Sequence, residues 1–158
     1  MLHKIAVSLA VVGCVLSLAA SAQTPRNATP ADDFQYLSAA DSARLLDKPG
    51  PAPVVSLLSD HEYYLSEVVA RTTDGVVEVH HHWIDFTTIL SGEATLTYGG
   101  AVTGAKETAP GELRGGKIAG GKTITLHAGD YFEIPAGMAH LMTAPKHNFR
   151  YLIVKVRV

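Results

Sequence analysis

Short apolar runs separated by Gly, Pro and polar residues fill the chain from residue 54 onward, a pattern typical of β-strands joined by turns. Nine runs stand out, at 54–58, 63–71, 76–80, 86–90, 94–98, 123–126, 131–134, 140–143 and 149–158. Strands this short and this closely spaced predict an all-β fold, either an antiparallel sandwich or a small barrel.

The last of these runs shows the clearest alternation of apolar and polar positions. Its even-numbered positions are predicted to face the core, and they are Leu152, Val154, Val156 and Val158. Lys155 and Arg157 fall between them and are therefore expected to point into solvent.

One short helix is predicted ahead of the strands. Ser38 stands three residues before Asp41, which is the spacing of a capping box, and the helix is expected to run through Leu46. The proline-rich segment 49–53 ends it. Residues 23–53 therefore form a leader with a short helix, and residues 54–158 form a single β-domain.

The first 22 residues have the pattern of a secretory signal peptide. Lys4 precedes a nearly continuous apolar stretch at 5–18, and small residues lead to a predicted cleavage site after Ala22. An uncleaved anchor or a lipoprotein modified at Cys14 is less favoured, the latter because the chain stays apolar after Cys14. The pattern predicts a secreted or periplasmic protein without stable membrane insertion after cleavage.

Composition narrows the classes of function. Hydrophobic residues make up 47% of the 158 residues and charged residues 18%, which favours a packed core over disorder. The net charge is −2, without the basic excess of a nucleic-acid-binding protein, so no nucleic-acid partner is expected. Because Cys14 is the only cysteine, cleavage after Ala22 would exclude thiolate catalysis and Cys-ligated zinc.

The segment 101–122 is rich in glycine and carries none of the predicted strands. Connections of this length are uncommon in compact domains and often border a functional site. A surface excursion without function is the equally weighted alternative.

Candidate metal ligands fall in two segments, 78–93 and 129–140. On an extended strand His80 and His82 share a face, and Asp85 follows close enough to add a carboxylate. His140 follows Pro135 and Gly137, whose turns fix the direction of the next strand. Imidazoles combined with a carboxylate suit a divalent transition metal, namely Zn, Mn, Fe, Ni or Cu.

These two segments resemble the two signature motifs of the cupin superfamily. The second is matched at Gly129, Pro135, Gly137 and His140, and the first at the interval from Asp85 to Gly92. Over 54–158 the chain is similar to small secreted single-domain bacterial cupins. The resemblance implies a jelly-roll-like antiparallel β-barrel, a metal inside it, a small-molecule ligand, and a possible homodimer.

The first motif departs from the cupin pattern and leaves two registers open. The family's acidic residue is usually Glu, whereas this chain has Asp85. The family also has three or four residues between its second histidine and this acid, whereas only two separate His82 from Asp85. Counting back from Asp85 makes Glu78 and His80 the ligand pair instead. We favour His80 and His82, because two imidazoles compete better for a transition metal than one imidazole and a carboxylate. His140 is a ligand in both registers.

Three functions are compatible with this sequence. The first is a metal-dependent enzyme acting on a small organic molecule, by isomerase, lyase or dioxygenase chemistry. The second is a module that binds a metal or a small ligand without turnover. The third is a structural, dimerising barrel with no active site, which is least favoured because His140, His80 and His82 fall where the cupin family has its ligands. Fold resemblance alone does not choose the reaction.

Overall fold

The computed structural model describes residues 34–45 and 53–158. The predicted signal peptide, its cleavage site and most of the leader lie outside these ranges. One helix is described, α1 (Ala39–Leu45), and Ser38 caps it by accepting a hydrogen bond from the Asp41 backbone N–H at 3.1 Å. Within the described ranges, no helix is long and apolar enough to cross a membrane.

Eleven strands follow α1 in the described part of the chain. They are β1 (Val54–Asp60), β2 (Tyr64–Arg71), β3 (Glu78–His80), β4 (Trp83–Tyr98), β5 (Ala101–Thr103), β6 (Lys106–Ala109), β7 (Glu112–Arg114), β8 (Lys117–Ala119), β9 (Lys122–His127), β10 (Tyr131–Ile134) and β11 (His140–Arg157). Nine belong to one antiparallel sheet, and β5 and β8 form a separate two-stranded sheet. The prediction of an all-β antiparallel fold is confirmed.

Strand β11 organises the sheet because it pairs with β2, β3 and β4. On the far side of β4 lie β9 and β10, so β4 and β11 connect the two parts of a curled sheet. The pairing of β11 with β3 places His140 opposite Glu78. This topology brings the second predicted motif beside the first.

Each of the two longest strands covers a pair of runs that the sequence separated. Runs 86–90 and 94–98 are one strand, β4, which continues through Gly92 at a φ of 81°. A Cβ at Gly92 would lie 2.5 Å from the Lys146 carbonyl oxygen, so glycine lets the two strands approach here. The register of β11 with β4 shifts between Thr143 and Tyr151, on either side of this close approach.

The face of β11 that turns inward is opposite to the prediction. Tyr151 and Ile153 are buried in the core, whereas Leu152 and Val154 are only half-buried. Apolar residues occupy both faces of this strand, so alternation alone did not identify the inner one. Lys155 consequently points inward, and its side chain is 16% exposed.

The glycine-rich segment forms four short strands, β5 to β8, rather than an irregular connection. Strand β7 pairs with β3, which places Arg114 opposite Glu78 and Glu112 opposite His80. The segment therefore extends the main sheet at the edge where the candidate ligands lie.

Candidate metal centre

Glu78, His80 and His140 bring one ligand atom each to a common point. These atoms all lie within 4.8 Å of one another. The carboxylate Oε2 of Glu78 is 3.3 Å from Nε2 of His80 and 3.8 Å from Nε2 of His140. The two histidines are buried, at 3% and 6% exposure, and Glu78 is half-buried. Because Glu78 and His80 are two residues apart on β3, their side chains share a face.

His82 does not join this cluster. Strand β3 ends at His80, and His81 and His82 form an exposed turn before β4. The His81 N–H donates to the Gly111 carbonyl at 2.8 Å, and the His82 ring lies against Gly111, where a Cβ would come within 2.5 Å of it. This corrects the expectation that His80 and His82 share a strand face. The pair assembled by the fold is Glu78 and His80, as in the alternative register.

Asp85 reaches the same cluster from β4 and is 3% exposed. Its Oδ2 lies 3.5 Å from Nε2 of His80 and 3.7 Å from Nε2 of His140. Lys155 donates hydrogen bonds to both Asp85 oxygens, at 2.9 and 3.1 Å, and its Nζ also lies 2.9 Å from Nε2 of His80. The cluster therefore unites four predicted site residues, which are Glu78, His80, Asp85 and His140. It also contains Lys155, which was expected to point into solvent.

Each imidazole is oriented through its Nδ1 atom. Nδ1 of His80 lies 2.5 Å from Oε2 of Glu112, and Nδ1 of His140 lies 3.2 Å from the Met138 carbonyl oxygen. A carboxylate and a carbonyl can only accept, so each Nδ1 carries a proton and donates. Nε2 of each ring is the nitrogen left for a metal. Metal-binding histidines commonly have this arrangement of a second acceptor.

Two arginines surround the Glu78 carboxylate. Arg114 forms an ion pair with it and lies 3.7 Å from Glu112, while Nη2 of Arg71 is 3.9 Å from Oε1 of Glu78. Arg71 also donates from Nε to the Tyr151 hydroxyl at 2.9 Å. The carboxylate is therefore embedded in positive charge that favours its ionised form.

The pKa directions differ among the three candidate ligands, since two are lowered and one is raised. Burial alone would raise the pKa of Glu78, but its hydrogen bond with His80 and the Arg114 charge outweigh burial and lower the pKa to about 2. Burial lowers the pKa of His140, which keeps this ring neutral near pH 7. For His80, burial is outweighed by contacts with carboxylates, chiefly Glu78, and its pKa is raised. Because a raised pKa favours the protonated ring, metal binding at His80 must compete with a proton.

A cavity of about 180 Å³ lies beside the cluster. Its apolar lining includes Val69, Phe132, Ile134, Met142 and Ile153. Its charged lining includes Glu67, Arg71, Asp85, Arg114 and Lys155. Burial is the main cause that raises the pKa of Glu67 in this wall.

Thr87, one of the residues that line the cavity, carries a buried hydroxyl without a partner in the described part of the chain. Its side chain is fully buried, and its Oγ1 has no hydrogen-bond partner among the described residues. Buried hydroxyls are normally hydrogen-bonded, because an unmade bond costs about 1–3 kcal/mol. Thr87 therefore has an unmade hydrogen bond beside the cavity.

No protein-family model and no curated protein matches the sequence, whereas solved structures match the fold. A conserved protein with a double-stranded β-helix domain from Klebsiella pneumoniae is 19% identical, with a TM-score of 0.56 over 78% of this chain and 90% of its own. The cupin domain of Cnp3 from Schizosaccharomyces pombe is 15% identical, with a TM-score of 0.51 over 67% of this chain and 65% of its own. The hydroquinone 1,2-dioxygenase PnpCD, solved with Cd²⁺ and 4-hydroxybenzonitrile, is 18% identical, with a TM-score of 0.54 over 80% of this chain and 74% of its own.

These similarities lie below the identity at which function transfers, so they bear on the fold alone. They confirm the cupin fold, a double-stranded β-helix, that the two sequence motifs predict.

Proposed function

We propose that this cupin-fold chain binds one divalent transition metal ion through Glu78, His80 and His140, and that the ion acts on a small organic molecule in the adjoining cavity. The proposal rests on one observation: three ligand atoms, from two buried imidazoles and a carboxylate, lie within 4.8 Å of one another. Two imidazoles and one carboxylate suit Zn, Mn, Fe, Ni or Cu.

An ion bound by three side chains supplies Lewis-acid polarisation of an oxygen atom, or an activated water, at its open positions. The chain's own residues supply the rest. Glu78 brings negative charge, and Glu112 and Met138 hold the two rings in register. The apolar part of the cavity lining limits access of water to the bound molecule. Asp85, outside the set of three ligands, is our candidate general base.

Cavity size limits the ligand. An engineered apolar cavity of about 150 Å³ holds benzene, and the volume here is about 180 Å³. The ligand is therefore a molecule of roughly six to ten non-hydrogen atoms. The lining combines charged and apolar side chains, which suits a ligand with a polar and an apolar part. Isomerase, lyase and dioxygenase chemistry all remain compatible with such a ligand.

Metal analysis tests the proposal directly. Protein purified from its native compartment is expected to contain an equimolar transition metal, and a chelator should remove it. His140→Ala should lose the metal, whereas His127→Ala, at a side chain 61% exposed, should keep it. Wild-type protein that neither retains nor takes up a divalent transition metal would refute the proposal.

A non-catalytic binding module is the second candidate. The observation that favours it is the engagement of Asp85 by Lys155, which occupies the carboxylate best placed to act as a base. The two candidates differ in one result. Restoring a single metal to stripped protein should restore turnover of a small molecule only if the chain is an enzyme.

We also propose that the chain is exported and cleaved after Ala22. The support is the basic, apolar and small-residue order of segment 1–22. Intact mass of the secreted or periplasmic protein should correspond to a chain beginning at Gln23, whereas a lipid-modified Cys14 or an intact segment 1–22 would contradict this proposal.

The homodimer implied by the resemblance stays a prediction, which light scattering of the purified protein would test.

A further inference from the structure

The ammonium group of Lys155 lies inside the ligand cluster. Its Nζ is 2.9 Å from Oδ1 and 3.1 Å from Oδ2 of Asp85, and 2.9 Å from Nε2 of His80. Both partners of the ion pair are largely buried, with side chains 16% and 4% exposed. This is an internal pair rather than a solvated surface contact.

The sheet itself sets the position of this pair. Lys155 on β11 stands directly opposite Asp85 on β4, within a run of register that continues on both sides. Directly opposed residues of antiparallel strands keep their Cβ atoms about 4.5–5.5 Å apart. The ammonium therefore cannot leave the cluster by a loop movement. Any cation that enters must share the space with it.

We propose that Lys155 is a built-in cation that holds Asp85 out of the coordination shell, so that the metal has three protein ligands and keeps open positions. This inference rests on the metal binding proposed above. Lys155 acts here as a positioning residue, because it works through Asp85 and not on a bound molecule.

The physical reason is the cost of an unpaired buried charge. If Asp85 moved onto the metal, the Lys155 ammonium would lose the only carboxylate that it contacts among the described residues, and only the weaker Coulombic attraction of Glu67 would be left to this largely buried charge. Leaving one partner of a buried pair uncompensated is strongly unfavourable. A metal bound by Glu78, His80 and His140 instead displaces only the contact between Lys155 and His80. Lys155 thus weakens metal binding and keeps the site open.

Removing the ammonium should release Asp85 as a fourth ligand. We expect Lys155→Met, whose side chain has similar length and no charge, to bind Zn²⁺ about tenfold or more tightly than wild type. The double variant Lys155→Met with Asp85→Asn removes the whole pair without changing net charge. It should bind Zn²⁺ within about threefold of wild type, because neither side chain is a ligand in the wild-type site.

The experiment uses the full mature protein, stripped with a chelator and titrated with Zn²⁺ against a chromophoric competitor. Co²⁺ absorption gives a second readout, in which Lys155→Met alone should change the band shape and intensity as a ligand is added. Lys146→Met is the matched control, since it removes an ammonium from an exposed ion pair with Glu93 and should leave the Zn²⁺ affinity unchanged.

Each outcome decides the inference. Lys155→Met binding no more tightly than wild type overturns it, and so does a double variant that binds about 30-fold or more weakly, since Asp85 would then be a wild-type ligand. A gain in Zn²⁺ affinity that persists in full in the double variant also overturns it, because the gain would then come only from removing the repulsion between the Lys155 ammonium and the ion. If Lys155→Met does not fold, the double variant decides. A wild type that binds no Zn²⁺ while Lys155→Met binds it refutes the proposed function but supports the role of Lys155.

Discussion

Nδ1 of His80 lies 2.5 Å from Oε2 of Glu112, so a residue of the glycine-rich segment orients a candidate metal ligand. The contact follows from the pairing of β3 with β7, in which these two residues stand opposite each other. The same pairing brings Arg114 to Glu78. The segment 101–122 therefore borders the site rather than forming an excursion away from it.

The first prediction concerns this contact. Glu112→Gln keeps an acceptor near Nδ1 of His80 but removes its negative charge, so the ring becomes a poorer metal ligand. We expect metal affinity to fall by about 10- to 100-fold, as for other outer partners of metal-binding histidines. Competition with a chromophoric chelator measures it. Glu107→Gln is the control, because Glu107 lies in the same segment, is exposed, and accepts a hydrogen bond from the Gly111 N–H at 3.0 Å. Equal affinities for both variants would contradict the role of Glu112.

The second prediction separates the two registers of the first motif. Glu78→Gln should lose most of the bound metal, because it removes the anionic ligand from the cluster. His82→Ala should retain the metal, because His82 lies in the exposed turn after β3. Elemental analysis of the two variants, purified in parallel, makes the comparison. Metal loss in His82→Ala together with retention in Glu78→Gln would restore the pairing of His80 with His82.

The sequence predicted the fold class, and it singled out His140, which the structure places in the candidate cluster. Turn residues and short β-branched runs act locally, so the pattern of strands and the placement of His140 after Pro135 and Gly137 can be read without tertiary information. The inner face of β11 could not be read in the same way. Tyr151 and Leu152 are both apolar, and only packing against the rest of the sheet decides which of them is buried.

The two misplaced site residues show where local reasoning stops. His82 satisfied the alternation rule, but the rule requires the strand to continue, and β3 ends at His80. Lys155 was placed in solvent because it alternates with Val154 and Val156, which were expected to face the core. Its partner Asp85 is 70 residues away in sequence, and their pairing depends on the register of β4 with β11. The sequence did contain a signal for the alternative register. The interval from Asp85 to Gly92 matches the cupin motif, and counting back from Asp85 leads to His80 and Glu78.

The third prediction concerns the unpartnered hydroxyl of Thr87. Thr87→Val removes a buried polar atom that has no protein partner, so the metal-free and ligand-free protein should be as stable as wild type or more stable, by up to about 1 kcal/mol. Urea unfolding measures the difference. In contrast, Thr97→Val removes a hydroxyl that lies 3.2 Å from the Thr123 hydroxyl and should not gain stability. A loss of about 1 kcal/mol or more in Thr87→Val would mean that Oγ1 has a partner in the folded protein.

The fourth prediction is an acid-dependent loss of stability that originates at Glu78 in metal-free protein. The folded-state pKa of Glu78 is about 2, below its ordinary value of 4.5, because the His80 hydrogen bond and the Arg114 charge outweigh burial. A lowered carboxyl pKa means that the unfolded chain binds the proton more tightly. The contribution of Glu78 to stability is therefore complete above about pH 4.5 and is lost as the pH falls towards 2.

Its size is on the order of 3 kcal/mol, since each unit of pKa difference corresponds to about 1.4 kcal/mol. Urea unfolding of chelator-treated protein between about pH 2.5 and 6 should show a steeper acid limb for wild type than for Glu78→Gln. Glu133→Gln, at an exposed carboxylate that accepts from the Tyr131 hydroxyl, serves as the control and should follow wild type. Parallel acid limbs for wild type and Glu78→Gln would show that the carboxylate is not held ionised by the charges around it, and the ion pair with Arg114 would then contribute little to the folded state.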